Sequence, residues 1–319
     1  MGKLCLDSLI SEFSDKLTGS DKRYNEIKFK DITVVFQGPV EKDYTPVAIE
    51  SIHRFLPGAR IILSTWPGQK TDGLPCDDVV FNEDPGAPVF TKKNGNSHAD
   101  NRNRLLVSTQ GGLVRANSLY TLKLRSDCIL LGDGIVRNYG RYPQKTEDYN
   151  IMQEKLVIGE QCNLTKLHFA ENTLRLPFHM SDWFFFGLTE DLKTYFLGTE
   201  IESLEQMTKW EYKKSFPISS DDEIGKNWKR RYNAEQYYFL SALRRKYEID
   251  YQDLSDYSEE AERVSKIAII NNFVILNARE HEIINAKRQN KQPWDLSLET
   301  KAEYFTNSLY EETYKEYFG

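Results

Sequence analysis

Cysteine is scarce in this 319-residue chain: Cys5, Cys76, Cys128 and Cys162 each stand alone. Without a C-x-x-C pair the sequence offers neither a structural zinc site nor a redox dithiol, and spread single thiols read as reduced cytosolic ones. The five histidines, His53, His98, His168, His179 and His281, show no H-x-x-x-H spacing, which argues against a zinc hydrolase. Also missing are the G-x-S-x-G elbow, the P-loop and the G-x-G-x-x-G fingerprint, so the common serine hydrolases, NTPases and dinucleotide enzymes are excluded. A basic surplus is absent too. Lys and Arg number 42 against 48 Asp and Glu, a formal charge of −6, so nucleic acid is not expected as a partner.

Long apolar runs are lacking as well. The longest, Ile267 to Leu276, is broken by Asn271 and Asn272 and falls far short of the roughly 20 residues that span a bilayer. The opening MGKLCLDSLISEF has no secretory signal pattern, and Leu6 stands where a myristoylation motif needs Ser or Thr. The expected location is therefore cytoplasmic.

What is present suffices for a large core. Apolar residues make up 39%, and 17 Phe, 18 Tyr and 5 Trp supply bulk for it. Residues 1–30 read as an amphipathic helix (Leu6, Leu9, Ile10, Phe13, Leu17) and a charged linker. ITVVF, Ile32 to Phe36, predicts a buried strand ending in the tight loop Gln37-Gly38-Pro39. Thr45-Pro46 predicts a capped helix start, Pro57-Gly58 its end, and Arg60 to Ser64 a second strand. This alternation argues for a parallel sheet with right-handed crossovers.

Further on, Val79 to Asn82 and Tyr120 to Leu124 read as strands, with a helix from Ala99 to Ala116 between them. Gly111-Gly112 inside that helix signals either close packing or a break. Phe184 to Gly187 predicts a buried strand, with Thr189 capping the next helix; Asn233 caps another from Ala234 to about Tyr247. Residues 147–176 have a mixed pattern with no firm assignment, and Ile267 to Leu276 reads as one strand. The expected organisation is an N-terminal helix and linker (1–30), a main α/β domain (31–250), and a C-terminal strand and helical extension packed on it (251–319).

TLKLRSDCILL carries the most chemistry. It sets Asp127 at the carboxyl end of a strand, where open α/β sheets bind ligands. A carboxylate there suits a divalent ion, Mn²⁺ or Mg²⁺, that bridges the diphosphate of a sugar nucleotide. Arg125 stands where the usual D-x-D pair has its first carboxylate, and an arginine can contact phosphate directly. Equally, Arg125 and Asp127 can simply tether a loop. In ADNRNRLLVS, Asn101, Arg104 and Ser108 share one helix face and suit an anionic ligand near the helix N-terminus, or form an exposed polar face.

Taken in order, FQGPV, ARIILSTWPG, NEDPG, NRNRLLVSTQGGL, LYTLKLRSD and HMSDWFFFG resemble the WavE family of lipopolysaccharide-synthesis proteins, and more broadly the GT-A class of nucleotide-sugar glycosyltransferases. The resemblance covers roughly residues 31–190, with a weaker echo in NAEQYYF. It implies a Rossmann-like, mostly parallel sheet with flanking helices, and transfer of a sugar from a nucleotide-sugar donor to a lipopolysaccharide or surface-polysaccharide acceptor. By that analogy Gln37, Gly38 and Pro39 line the nucleotide pocket, Ser64 and Thr65 end the second strand near the base, and Arg125 and Asp127 take the D-x-D position, with Asp127 the metal ligand if metal is used.

On the acceptor side, Asp182 is the first candidate base for the attacking hydroxyl and Glu235 the second; a strand-start hydrogen bond and a helix N-terminal charge are their structural alternatives. Trp183 is placed to stack on a sugar ring. His179 binds phosphate, holds Asp182 or packs in the core. The basic clusters Lys226 to Arg231 and Arg244 to Lys246 read as solvated faces, or as contacts to an anionic inner leaflet or a lipid-linked acceptor. Two other functions stay open: a sugar nucleotidyltransferase, although FQGPV lacks the glycine-rich basic signature, and a non-catalytic nucleotide- or glycan-binding scaffold.

Overall fold

The computed structural model describes residues 4–17, 22–91, 97–161, 163–169, 172–208, 231–254, 256, 258–288 and 302–319. Cys162 and residues 226–230 of one basic cluster lie outside these; Cys5, Cys76 and Cys128 are free thiols. The first elements are α1 (Leu6–Phe13), β1 (Ile32–Gln37), α2 (Thr45–Phe55), β2 (Arg60–Thr65) and β3 (Asp78–Phe81), followed by the hairpin β4 (Val89–Thr91) and β5 (Ser97–Ala99). Then come α3 (Arg102–Arg115), β6 (Tyr120–Arg125), β7 (Cys128–Leu130), α4 (Gly134–Arg137), β8 (Leu156–Gly159), β9 (Leu164–Phe169) and β10 (Asn172–Arg175). After these run β11 (Phe184–Leu188), α5 (Thr189–Phe196), α6 (Leu204–Thr208), α7 (Ala234–Arg244), α8 (Glu259–Asn272) and β12 (Phe273–Leu276). The chain closes with α9 (Ala278–His281), β13 (Ile283–Asn285), β14 (Ala302–Tyr304) and α10 (Asn307–Phe318).

Seven strands form the central sheet in the order β12-β8-β11-β6-β1-β2-β3. Only β11 runs against its neighbours; the other six share one direction. The sheet is thus mostly parallel and Rossmann-like, with helices on both faces. Alternation along β1 and β11 sorts side chains between the faces. Val34, Phe36, Phe184 and Phe186 pack with α1 and α2, whereas Phe185 packs with α5, α7, α8 and α10. Buried on both sides, the central strands read as continuous apolar runs rather than alternating ones.

Both glycines of Gly111-Gly112 mark close packing, not a break. A Cβ on Gly112 would stand 2.2 Å from Val35 Cγ1, and one on Gly111 would stand 1.9 Å from Asn82 Oδ1. The pair lets α3 lie directly on β1 and against the loop after β3. At its start, Arg102 is buried and fixed by Asp100 at 3.1 Å and Glu202 at 2.6 Å.

Several expectations need correcting. Residues Ile267 to Leu276 are not one strand: α8 continues to Asn272, and only Phe273–Leu276 extends. Asn271 and Asn272 are buried and bond the backbone around residues 146–151, so helical hydrogen-bonding continues where the apolar pattern suggested β structure. Thr45 and Thr189 do not cap; each is the first residue of its helix. Their hydroxyls instead donate to the carbonyls of Ser126 (3.0 Å) and Ser118 (2.6 Å), tying helices to neighbouring loops. Asn233 does stand at the N-cap position of α7, where its N–H donates to Gln236 Oε1 at 3.1 Å. Within 251–319, β12 is an edge strand of the central sheet and β13 pairs with β7.

Candidate functional site

The carboxyl ends of β1, β2, β3 and β6 open onto one cleft of about 740 Å³. Gln37, Gly38, Pro39 and Glu41 line it after β1, Trp66, Pro67 and Gln69 after β2, Glu83 and Asp84 after β3, and Arg125, Ser126 and Asp127 after β6. Asn101, Arg104, Leu105 and Ser108 approach from the start of α3, and Lys287 from the far end of the chain. A volume of this size suits a nucleotide-sized ligand.

Hydrogen bonds between loops shape the wall. Gly38 sits at φ +116°, and a Cβ there would stand 3.3 Å from Ser126 Oγ, so the turn after β1 needs glycine. Ser126 Oγ donates to the Pro39 carbonyl at 2.6 Å, and the Ser126 N–H to Gln37 at 3.1 Å. Gln69 Oε1 accepts from the Val40 N–H at 2.7 Å, joining the second loop to the first. Gln37 also accepts from Ser108 Oγ at 3.0 Å, which ties α3 to the same wall. Ser64 and Thr65 are fully buried behind the lining, and the two residues after them reach the cleft instead.

Among the described residues three cations face the cleft, each against a carboxylate. Arg125 donates to both Asp127 oxygens, at 2.9 and 2.8 Å, and Asn285 Nδ2 adds a third bond at 3.2 Å. Burial pushes the Asp127 carboxyl up, but the Arg125 bonds and charge outweigh it and hold the group below its ordinary range. Burial likewise opposes the Arg125 charge, and Asp127 more than restores it. Arg104 donates to both Asp84 oxygens at 2.8 and 2.7 Å in a more exposed pair, and Lys287 pairs with Glu41.

The oxygens of Asp127 are engaged by neighbouring side chains, so a cation there would have to displace one of these bonds. Both of its oxygens already accept from Arg125 and one from Asn285, and among the described residues no three His, Cys, Asp or Glu side chains group as ligands.

The acceptor-side candidates Asp182, Glu235, His179 and Trp183 are not among the residues that line this cleft. Asp182 lies two residues before β11, and the carbonyl of Trp183 between them accepts from the Arg125 N–H at 3.1 Å, so Asp182 stands near the end of β6 that carries Arg125. It is buried, and its carbonyl accepts from the ammonium of Lys123, a wholly buried lysine of β6. Burial pushes Lys123 down to about 8, against the pull of Asp182. Glu235, at the start of α7, lies 3.7 Å from His179 Nε2; burial and the Asp182 charge push its carboxyl up to about 8. His179 lies on a smaller cavity of about 170 Å³ between β9 and α8. Trp183 is buried in the core and does not line the cleft.

Arg244, Arg245 and Lys246 are exposed, as a solvated face would be, and each also donates to a backbone carbonyl, of residues 251, 194 and 150 respectively. Sequence reasoning missed Lys123, Asn285, Lys287 and Glu41. Lys123 carries a signal, a lysine in the middle of an apolar strand; the other three depend on long-range pairing and carry none.

A mostly parallel sheet with a charged cleft at the carboxyl ends of its strands defines the class, the Rossmann-like α/β proteins. Within that class, the chain belongs to the WavE lipopolysaccharide synthesis family, whose family model matches residues 32–317. That membership ties it to lipopolysaccharide biosynthesis. No curated protein matches the chain. Among the described residues no helix is long and apolar enough to cross a membrane.

Proposed function

We propose that the chain is a glycosyltransferase of the GT-A kind, which moves a sugar from a nucleotide-sugar donor to a lipid-linked or glycan acceptor of lipopolysaccharide at the inner face of the membrane. The observation that carries this reading is the convergence of Arg104, Arg125 and Lys287 on one cleft built from four strand-end loops. Guanidinium forks match phosphate oxygens, and fixed cations stabilise the charge that grows on a departing diphosphate. The Gln37-Gly38-Pro39 turn lets backbone approach the donor closely. Arg125 takes the charge-neutralising part, and Asp127 positions it.

The acceptor hydroxyl must lose a proton as it attacks the anomeric carbon. Burial and the Asp182 charge push the Glu235 carboxyl up, which favours keeping a proton on Glu235 rather than freeing it as a base. The base is then Asp182, near the end of β6 that carries Arg125, with His179 and Glu235 shaping its surroundings.

Donor hydrolysis tests this reading. The purified protein is expected to release nucleoside diphosphate slowly from one nucleotide sugar without added metal, and Arg125→Ala to cut that rate by about a hundredfold, the size seen when one charge-stabilising donor is lost. Release of pyrophosphate from a nucleoside triphosphate and a sugar phosphate would instead make it a nucleotidyltransferase. Binding without any turnover would favour the scaffold reading.

A further inference from the structure

Lys287 reaches the cleft by an indirect route. β13 pairs antiparallel with β7 so that Asn285 lies opposite Cys128, and the next N–H, of Ala286, donates to the Asp127 carbonyl at 2.9 Å. This step sets Lys287 at the cleft, its side chain 40% exposed, against the carboxylate of Glu41, 246 residues earlier. Its field is felt at Asp127: burial raises that carboxyl, Arg125 more than reverses the effect, and the Lys287 charge adds to the lowering.

The three ion pairs of the cleft are not equivalent. Arg125 and Asp127 share two bonds with Asn285 as a third partner, and Asp127 is almost fully buried. Arg104 and Asp84 also share two bonds. Lys287 meets Glu41 through a single oxygen, between partly exposed side chains on separate loops. A pair of that kind contributes little to stability and exchanges partners readily, and the ammonium on its flexible stem can turn toward another anion.

We propose that Lys287 is a further phosphate-binding residue of this cleft, contacting the diphosphate of a nucleoside diphosphate group, and that Glu41 is the competitor which that diphosphate displaces. The proposal rests on the nucleotide-sugar reading. No bond is made or broken; one anion replaces another on the same ammonium.

The test is calorimetric titration of the full chain with UDP, GDP, CDP, ADP and dTDP, and with the matching nucleosides. Wild type is compared with Lys287→Ala, Lys287→Arg and Glu41→Gln. Lys287→Ala is expected to weaken the preferred nucleoside diphosphate by about tenfold, the loss of one charge-assisted contact, and to leave the nucleoside unchanged. Lys287→Arg retains most of the affinity. Glu41→Gln moves the other way and tightens the diphosphate. Unchanged diphosphate affinity in Lys287→Ala, or weakening in Glu41→Gln, overturns the assignment while the nucleotide-sugar reading stands. If wild type binds none of the five diphosphates, that reading falls first and takes the assignment with it.

Discussion

At the scale of single residues, charge and burial set the pH behaviour. Asp127 keeps its carboxyl below the ordinary range through Arg125, so its contribution is present above that range and is lost as pH falls through the folded-state value. Asp127→Asn is expected to cost about 1–3 kcal/mol near neutral pH, less than a fully buried pair because Arg125 keeps a quarter of its side chain in solvent. Denaturant unfolding at descending pH should show the gap between variant and wild type closing in acid; a constant gap would contradict the assigned pairing. Lys123 works in the opposite sense. The unfolded lysine holds its proton up to about 10.5 and the folded one only to about 8, so the unfolded state binds more protons between these values and stability rises with pH. The rise is worth about 3 kcal/mol. Lys155, pushed down to about 7 by burial, adds to the same rise, so the diagnostic quantity is the difference between wild type and Lys123→Met. The variant should lose most of the Lys123 share between neutral pH and about pH 10; an unaltered slope would mean that Lys123 is already solvated.

At the scale of elements, the sequence pattern was legible where one face or both faces of a strand are buried. The apolar runs of β1, β2, β6 and β11 and the cap of α7 are visible because local chemistry alone selects them. Where partners are distant the pattern misleads. Asn271 and Asn272 interrupt an apolar run as a turn would, yet their amides satisfy a loop more than a hundred residues earlier and the helix runs through them. Thr45 looks like a cap but spends its hydroxyl on Ser126. Gly112 illustrates the same point from the packing side. Alanine there gains up to about 1 kcal/mol of helix propensity, but its Cβ would strike Val35 at 2.2 Å. Overpacking of this kind typically costs about 1–3 kcal/mol, so Gly112→Ala should lower the melting temperature. A more stable variant would show that α3 can lift off β1 without penalty.

At the scale of the whole molecule, the site is assembled from both ends of the chain. Gln37, Gly38, Pro39, Asn101, Arg104, Arg125 and Asp127 stand at the cleft because each follows a strand or heads a helix, and that placement can be read from element order. Lys287 arrives only through the pairing of β13 with β7, which no local pattern announces. The same topology sets Asp182 just before the antiparallel strand that pairs with β6, near the end of β6 that carries Arg125.

The central claim is that this cleft holds a nucleoside diphosphate with its own cations. It is tested most directly by thermal denaturation of the purified chain with UDP, GDP, CDP, CMP, ADP and dTDP, each with and without Mg²⁺ or Mn²⁺. A ligand that binds the native state raises the melting temperature by mass action. One nucleoside diphosphate is expected to stabilise the chain without added metal, and Arg125→Ala to abolish the shift. No shift with any nucleotide at millimolar concentration, or a shift that Arg125→Ala leaves intact, would contradict the claim.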